Sequence, residues 1–277
     1  RFYRWEKQQL EESLEAAEYS LFAGIYGIND GPNFEQEYYV PFLSKTRSAL
    51  ATGKELSHKQ LEEQLRPVRQ KLFTLRAERV RPFTDDKILT SWNGLMIRGF
   101  ADAGRLLEQP GYIETAEKAA TFVLEELSTK EGRLLRTYRD GEAKLNAYVV
   151  DYAFLVEGLI ALHRATGKKT WLDEADRLMK IQLELFWDDE NSGFFFTSDD
   201  HESLLARGKN PVDGAQPSGN SVSVQNLIYL AGELDNKEYL EHADGTIRSV
   251  SGILSNSPSA SPRMVIAVGQ RLDADSE

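Results

Sequence analysis

The sequence predicts an all-α fold, a closed α/α toroid built from helical hairpins with short β ribbons between them. Three observations predict it. Apolar residues recur at helical spacing over most of the chain. A composite unit repeats: Tyr112-Ile-Glu-Thr-Ala116 resembles Trp171-Leu-Asp-Glu-Ala175 and Tyr239-Leu-Glu-His-Ala243. Each such stretch follows an apolar helix and a short turn, and opens an amphipathic helix. The first two stretches lie 59 residues apart and the next two 68, and the first offset also carries Gly99 onto Gly158. That unit exceeds the roughly 34–47 residues of common helical solenoids. The extra length falls in ribbons and loops, which suits a closed toroid better than an open solenoid.

In order, Trp5 to Ile25 predicts a helix, with Leu10, Leu14, Ala17, Leu21 and Ile25 on one stripe. Gly27 to Phe34 is turn-rich. Ser57 is placed to cap a helix reaching about Val80, with Leu61, Leu65, Val68, Leu72 and Leu75 on its apolar face. Pro67 should kink or split that helix, and Pro82 should break the chain. Thr90 or Ser91 is placed to cap a helix through Leu107, followed by a partner from Tyr112 to Leu127. Leu134 to Leu145, with Asp140-Gly141 at its centre, reads as a β-hairpin. Helices are expected from Val149 to Ala165 and from Trp171 to Phe186. Gly193 to Thr197 reads as a short strand and His201 to Gly219 as a long polar loop. Ser221 to Leu234 and Lys237 to Leu254 form a last helical pair, and the Ser/Pro-rich stretch beyond Asn256 breaks the pattern.

The first helix of each pair is the more apolar, so the first helices should form an inner ring whose N-termini open on one side. Three clusters then fall at equivalent places: Asp85 to Gly94, Tyr148 to Tyr152, and Pro217 to Asn220. Helix N-termini offer free N–H groups and the positive end of the helix dipole. The clusters suggest a sugar or polyol site. Trp92 and Tyr152 would provide stacking faces, and Asn93, Ser218 and Asn220 hydrogen bonds. Asp85, Asp86, Asp151 and Asp213 would be carboxylates for acid/base work, with Asp86 and Asp151 as the catalytic pair. Asp, Ser and Asn are also favoured as plain helix caps, so each residue has a structural reading beside the functional one. His58, His163, His201 and His242 lack metal-ligand spacing, and no metal or cofactor is expected. Arg207 and Lys209 could meet an anionic group or simply be solvated loop charges.

Composition narrows the classes. The chain has 277 residues, a formal charge of −11 and no basic patch, which argues against a nucleic-acid partner. It has no cysteine, so disulfides and thiolate chemistry are excluded within it. No run approaches the roughly 18 apolar residues of a membrane span. A reducing, cytoplasmic setting is expected. The chain opens on Arg1-Phe2-Tyr3 without Met and reads as a piece of a longer protein, forming a single toroid-like domain over 1–277.

Arg81-Pro-Phe-Thr-Asp-Asp-Lys-Ile-Leu-Thr-Ser-Trp-Asn-Gly-Leu-Met96 and Asp213-Gly-Ala-Gln-Pro-Ser-Gly-Asn220, with Asp151-Tyr152-Ala153 between them, carry a resemblance. They resemble the YyaL / spermatogenesis-associated thioredoxin-like family. The resemblance implies an (α/α)6 toroid of the six-hairpin glycosidase-like kind, related to N-acylglucosamine 2-epimerases and preceded in the full protein by a thioredoxin-like partner domain. It also implies a carbohydrate link by analogy of fold. One departure matters: where those epimerases resemble Met-His-Leu-Leu-Glu-Ala, this chain reads Ala153-Phe154-Leu155-Val156-Glu157-Gly158. Phe154 therefore replaces a working His. Hydrolysis or isomerisation of a sugar-like molecule, non-catalytic ligand binding, and a scaffold role are the three readings left.

Overall fold

The computed structural model describes residues 2–201 and 206–274. The chain divides into two compact units, residues 1–85 and 86–277, described here separately.

The first unit holds α1 (Lys7–Ser13), α2 (Ala16–Ile25), α3 (Arg47–Thr52) and α4 (His58–Ala77). The single helix expected over 5–25 is two helices. Leu14 is extended, and Glu15 starts a new helix through a capping box with Glu18, whose carboxylate accepts the Glu15 N–H at 3.0 Å. In α4, Ser57 and Gln60 form a second capping box. Pro67 sits inside this helix without splitting it. Both Pro67 and Glu63, whose carbonyl loses its partner, are exposed, so water can satisfy the orphaned oxygen. Leu61, Leu65, Val68 and Leu72 are buried, as their spacing predicts.

The second unit begins with β1 (Ile88–Leu89), which runs directly into α5 (Thr90–Leu106). Then come α6 (Pro110–Glu126), the hairpin β2 (Leu135–Arg139) and β3 (Glu142–Asn146), α7 (Val149–Thr166) and α8 (Lys169–Phe186). The unit closes with α9 (Gly219–Leu234), α10 (Lys237–Ser249), α11 (Ser251–Asn256) and α12 (Pro262–Ala274). The sheet is antiparallel in the order β1-β2-β3. Asp140 (φ 52°) and Gly141 (φ 81°) turn its hairpin, both left-handed as a tight two-residue turn requires.

Helical hairpins form as expected: α5 packs on α6, α7 on α8, and α9 on α10. The first helices also pack on one another, α5 on α7 and α7 on α9, and α12 packs on α9. Burial over 151–162 of α7 is unbroken, which only an inner helix can sustain. Two glycines set the spacing. A Cβ on Gly94 would fall 2.5 Å from the Phe154 carbonyl carbon, and one on Gly158 would fall 2.9 Å from the Gly94 oxygen. The α5 and α7 backbones therefore touch. At Gly219 a Cβ would meet a Val149 methyl at 2.9 Å, so α9 closes on α7 in the same way. Gly99, aligned with Gly158 by the repeat offset, faces open space.

Three expectations are corrected. The strand expected over 193–197 is a lone bridge between Trp187 and Phe194. The helix expected over 237–254 breaks at Val250 into α10 and α11. Beyond Asn256 the chain does not stay irregular: Pro262 opens α12, whose Met264 and Ala267 are buried. Proline suits a first helical turn, where its missing N–H has no partner to lose.

Candidate functional site

The N-termini of α5, α7 and α9 meet at one cavity of about 940 Å³ in the second unit. Leu89, Ser91, Trp92, Leu95 and Met96 line it from α5 and its approach, Val149 and Val150 from α7, and Ser218, Gly219 and Asn220 from the start of α9. Arg136 enters from β2 and Phe196 from the chain after α8. Asn210, Val212 and Gly214 to Pro217 close it as a loop.

Asp151 ties two of these helix starts together. One carboxylate oxygen accepts the Ser91 N–H of α5 at 2.9 Å, and the other accepts the Tyr148 N–H at 2.9 Å. Thr90 and Ser91 therefore do not cap α5 themselves. The helix starts at Thr90, whose hydroxyl donates to the Leu135 carbonyl at 2.6 Å, while the acceptor for an orphan N–H comes from α7. Asp151 is fully buried, and that burial pushes its carboxyl above the ordinary carboxylate range, against the lowering pull of its two amide partners and Arg136. It lies behind Ser91 and Arg136, outside the cavity lining.

Asp86 is solvated rather than buried. It pairs with Arg139 at 2.8 Å, its side chain is 58% exposed, and it does not line the cavity. Asp85 is exposed and belongs to the first unit. The structure thus does not bring Asp86 and Asp151 together as two carboxylates facing one void. Asp213 is a latch: its oxygens accept the Ser218 N–H at 2.7 Å and the Arg263 N–H at 2.8 Å, joining the cavity loop to the starts of α9 and α12.

The remaining expected residues divide. Trp92 is 58% exposed and presents its indole to the cavity. Ser218 caps α9, accepting the Ser221 N–H at 3.4 Å and donating to the Asn210 carbonyl at 2.6 Å, and it also lines the cavity. Asn220 lines the cavity too, but its amide is occupied by both backbone groups of Phe194, at 2.7 and 2.9 Å. Asn93 turns back to donate to the Leu89 carbonyl at 2.9 Å. Tyr152 is a core residue: its ring packs against Phe186 and its hydroxyl accepts the Leu134 N–H at 2.9 Å. It offers no stacking face. Phe154 is fully buried in the α5–α7–α9 packing. Arg207 and Lys209 are held within the loop, Arg207 by the Leu185 and Thr197 carbonyls and Lys209 by Asp188. Lys209 in turn lowers the Asp188 carboxyl to about 2.

Sequence reasoning missed Arg136, Phe196, Asn210 and Gln216. The Arg136 guanidinium stacks 4.5 Å above the Tyr148 ring, which stacks on Phe196 at 4.6 Å and on His201 at 5.3 Å. Among the described residues that line the cavity, Arg136 is the sole charged one. Its place on a short strand hides it from any helical repeat, and the aromatic run at 194–196 was the one available signal for Phe196. Among the described residues, no three His, Asp or Glu side chains stand close enough to hold a metal ion, and no helix is long and apolar enough to cross a membrane.

No family model matches the chain. Human spermatogenesis-associated protein 20 is 35% identical over 209 residues, which covers 72% of this chain and 27% of that protein. An uncharacterized protein of Caenorhabditis elegans is 29% identical over 290 residues, covering 96% of this chain and 39% of its own length. The chain therefore spans well under half the length of these relatives. Among solved structures, an alpha-mannanase of Bacteroides thetaiotaomicron superposes with a TM-score of 0.57 at 14% identity, covering 94% of this chain and 78% of its own. The cellobiose 2-epimerase of Bacillus thermoamylovorans gives 0.50 at 9% identity, covering 82% and 71%. The chain is thus a homologue of spermatogenesis-associated protein 20 with the helical fold of the six-hairpin glycosidases and cellobiose 2-epimerases.

Proposed function

We propose that the cavity at the shared mouth of α5, α7 and α9 binds a carbohydrate. One observation carries this reading: a sugar-sized void has aromatic faces at Trp92 and Phe196, the polar side chain of Gln216, and no carboxylate among the described residues that line it. Saccharides are held by such a combination, apolar ring faces on aromatics and hydroxyls on a few placed polar groups. The alpha-mannanase and the cellobiose 2-epimerase that share the fold are carbohydrate enzymes by name, which supports the ligand class and not a reaction.

Two-carboxylate hydrolysis has weak support. It needs two acids across the scissile bond, and Asp86 is a solvated partner of Arg139. Asp151 favours a second reading, in which it acts as a general acid through the Ser91 hydroxyl, because a buried carboxyl with a raised pKa is poised to hold a proton. The same family resemblance makes a thioredoxin-like domain of the longer protein the partner of this module.

Thermal unfolding against a panel of mono- and disaccharides tests the reading. A ligand at ten times its Kd should add about 1.4 kcal/mol of stability. Trp92→Ala should remove that gain, while Asp86→Asn should keep it. If no saccharide stabilises the chain at millimolar concentration, the carbohydrate reading fails. Turnover of a bound sugar that vanishes in Asp151→Asn, with binding kept, would establish the second reading instead.

A further inference from the structure

A protein of net charge −11 repels anions over most of its surface. The cavity is the reverse. Among the described residues its only charged lining side chain is Arg136, and the N-terminal ends of α5, α7 and α9 open onto it. The guanidinium forms a long ion pair with the buried Asp151. Its nearest carboxylate oxygen, on Asp151, is 3.7 Å away, beyond hydrogen-bond reach, and both oxygens of Asp151 are already engaged by backbone N–H groups. Nη1 of Arg136 is buried on the Asp151 side and meets no hydrogen-bond acceptor among the described residues. The guanidinium carbon lies over the Tyr148 ring, and about a third of the Arg136 side chain is exposed. A planar guanidinium is matched by a carboxylate, which can take two parallel N–H bonds.

We propose that the cavity selects acidic sugars, with the ligand carboxylate of a uronate seated on Arg136 and the sugar ring on Trp92. This rests on the carbohydrate reading above and adds the charge of its ligand. Binding the anion would set its carboxylate against the one cation among the described lining residues, a contact that a neutral glycoside cannot make. Charges elsewhere around the cavity do not compete for it: Arg139 is held by Asp86, Arg133 by Asp200 and Lys209 by Asp188.

Isothermal titration of the full chain with methyl glucuronide and methyl glucoside separates the two claims. The glucuronide should bind at least about tenfold more tightly, about 1.4 kcal/mol, as one charge-assisted contact gives. Raising salt from about 0.05 M to about 0.5 M should narrow that ratio and leave glucoside binding unchanged. Arg136→Gln should erase the preference, bringing the two glycosides to equal affinity. Arg136→Lys should restore part of the preference, which also shows that the site is still folded. Equal affinity for the two glycosides, or a preference that survives in Arg136→Gln, overturns the inference and leaves the carbohydrate reading standing. Binding of neither glycoside at millimolar concentration overturns both.

Discussion

One inner helix buries two carboxylates in two different ways. Asp151 sits in the first turn of α7 and is satisfied by neutral donors, the N–H groups of Ser91 and Tyr148. Glu157, six residues further and about 9 Å along the axis, is clasped by two guanidiniums, Arg98 of α5 at 2.7 Å and Arg263 of α12. The first carboxylate links two helix starts beneath a cavity and carries a raised pKa. The second locks three helices together by charge and borders only a small crevice of about 60 Å³. A buried acid on the inner ring is therefore no mark of catalysis by itself. What distinguishes the mouth is Arg136, the one cation among the described lining residues, beside exposed Trp92.

The largest expected effect tests the locked end. Glu157→Ala leaves Arg98 and Arg263 facing each other without their shared carboxylate, and should cost about 3 kcal/mol in urea unfolding, the low end for a broken buried pair because Arg98 is partly exposed. Removing the charges together, as Glu157→Leu with Arg263→Met, should recover much of the loss; a double variant as unstable as the sum of the two singles would show that no coupling exists.

Between the two carboxylates, α5 touches α7 at Gly94. Gly94→Ala should cost about 2 kcal/mol, because the added methyl meets backbone and not a movable side chain. Gly219→Ala should cost less, since its obstacle is a Val149 methyl. Equal costs would mean that the helix spacing is not set where the backbones touch.

At the mouth, Asp151→Asn replaces one acceptor by an NH2 group and leaves one backbone N–H of α5 or α7 unpaired, for a loss of about 1–2 kcal/mol at neutral pH. Its pH dependence sharpens the contrast with Asp188. The folded Asp151 holds its proton more tightly than the unfolded one, so its contribution falls as pH rises from the ordinary carboxylate value through its raised value, and Asp151→Asn should flatten that fall. Asp188, lowered to about 2 by Lys209, contributes above its unfolded value and is lost as pH drops toward 2. Identical stability–pH curves for wild type and Asp151→Asn would show that burial does not perturb Asp151. The smallest effect is expected at Trp92→Ala, within about 0.5 kcal/mol, since its indole is mostly in solvent.

The hairpins were legible because a buried inner helix and a half-solvated outer one differ in periodicity, and that difference recurs. The meeting of three helix starts followed from the same repeat. Which side chain points into the mouth did not. A repeat offset aligns residues along the helix axis, but neighbours on one helix point about 100° apart. Trp92 therefore faces the cavity while Asn93 turns back to Leu89, and Tyr152, the offset partner of Asn93, falls in the core. Asp86 illustrates a different limit: two acids before a helix look catalytic until an arginine from a neighbouring strand is seen to hold one. Arg136 had no periodic signature, and α12 was hidden by the Ser/Pro-rich stretch before it.

Tryptophan fluorescence gives the most direct test of the cavity. The chain has four tryptophans, and the other three, Trp5, Trp171 and Trp187, lie outside the cavity lining. Titrating methyl glucuronide should produce a saturable emission change in the wild type that is absent in Trp92→Phe. A saturable change of the same size in Trp92→Phe would place the ligand elsewhere and contradict the account.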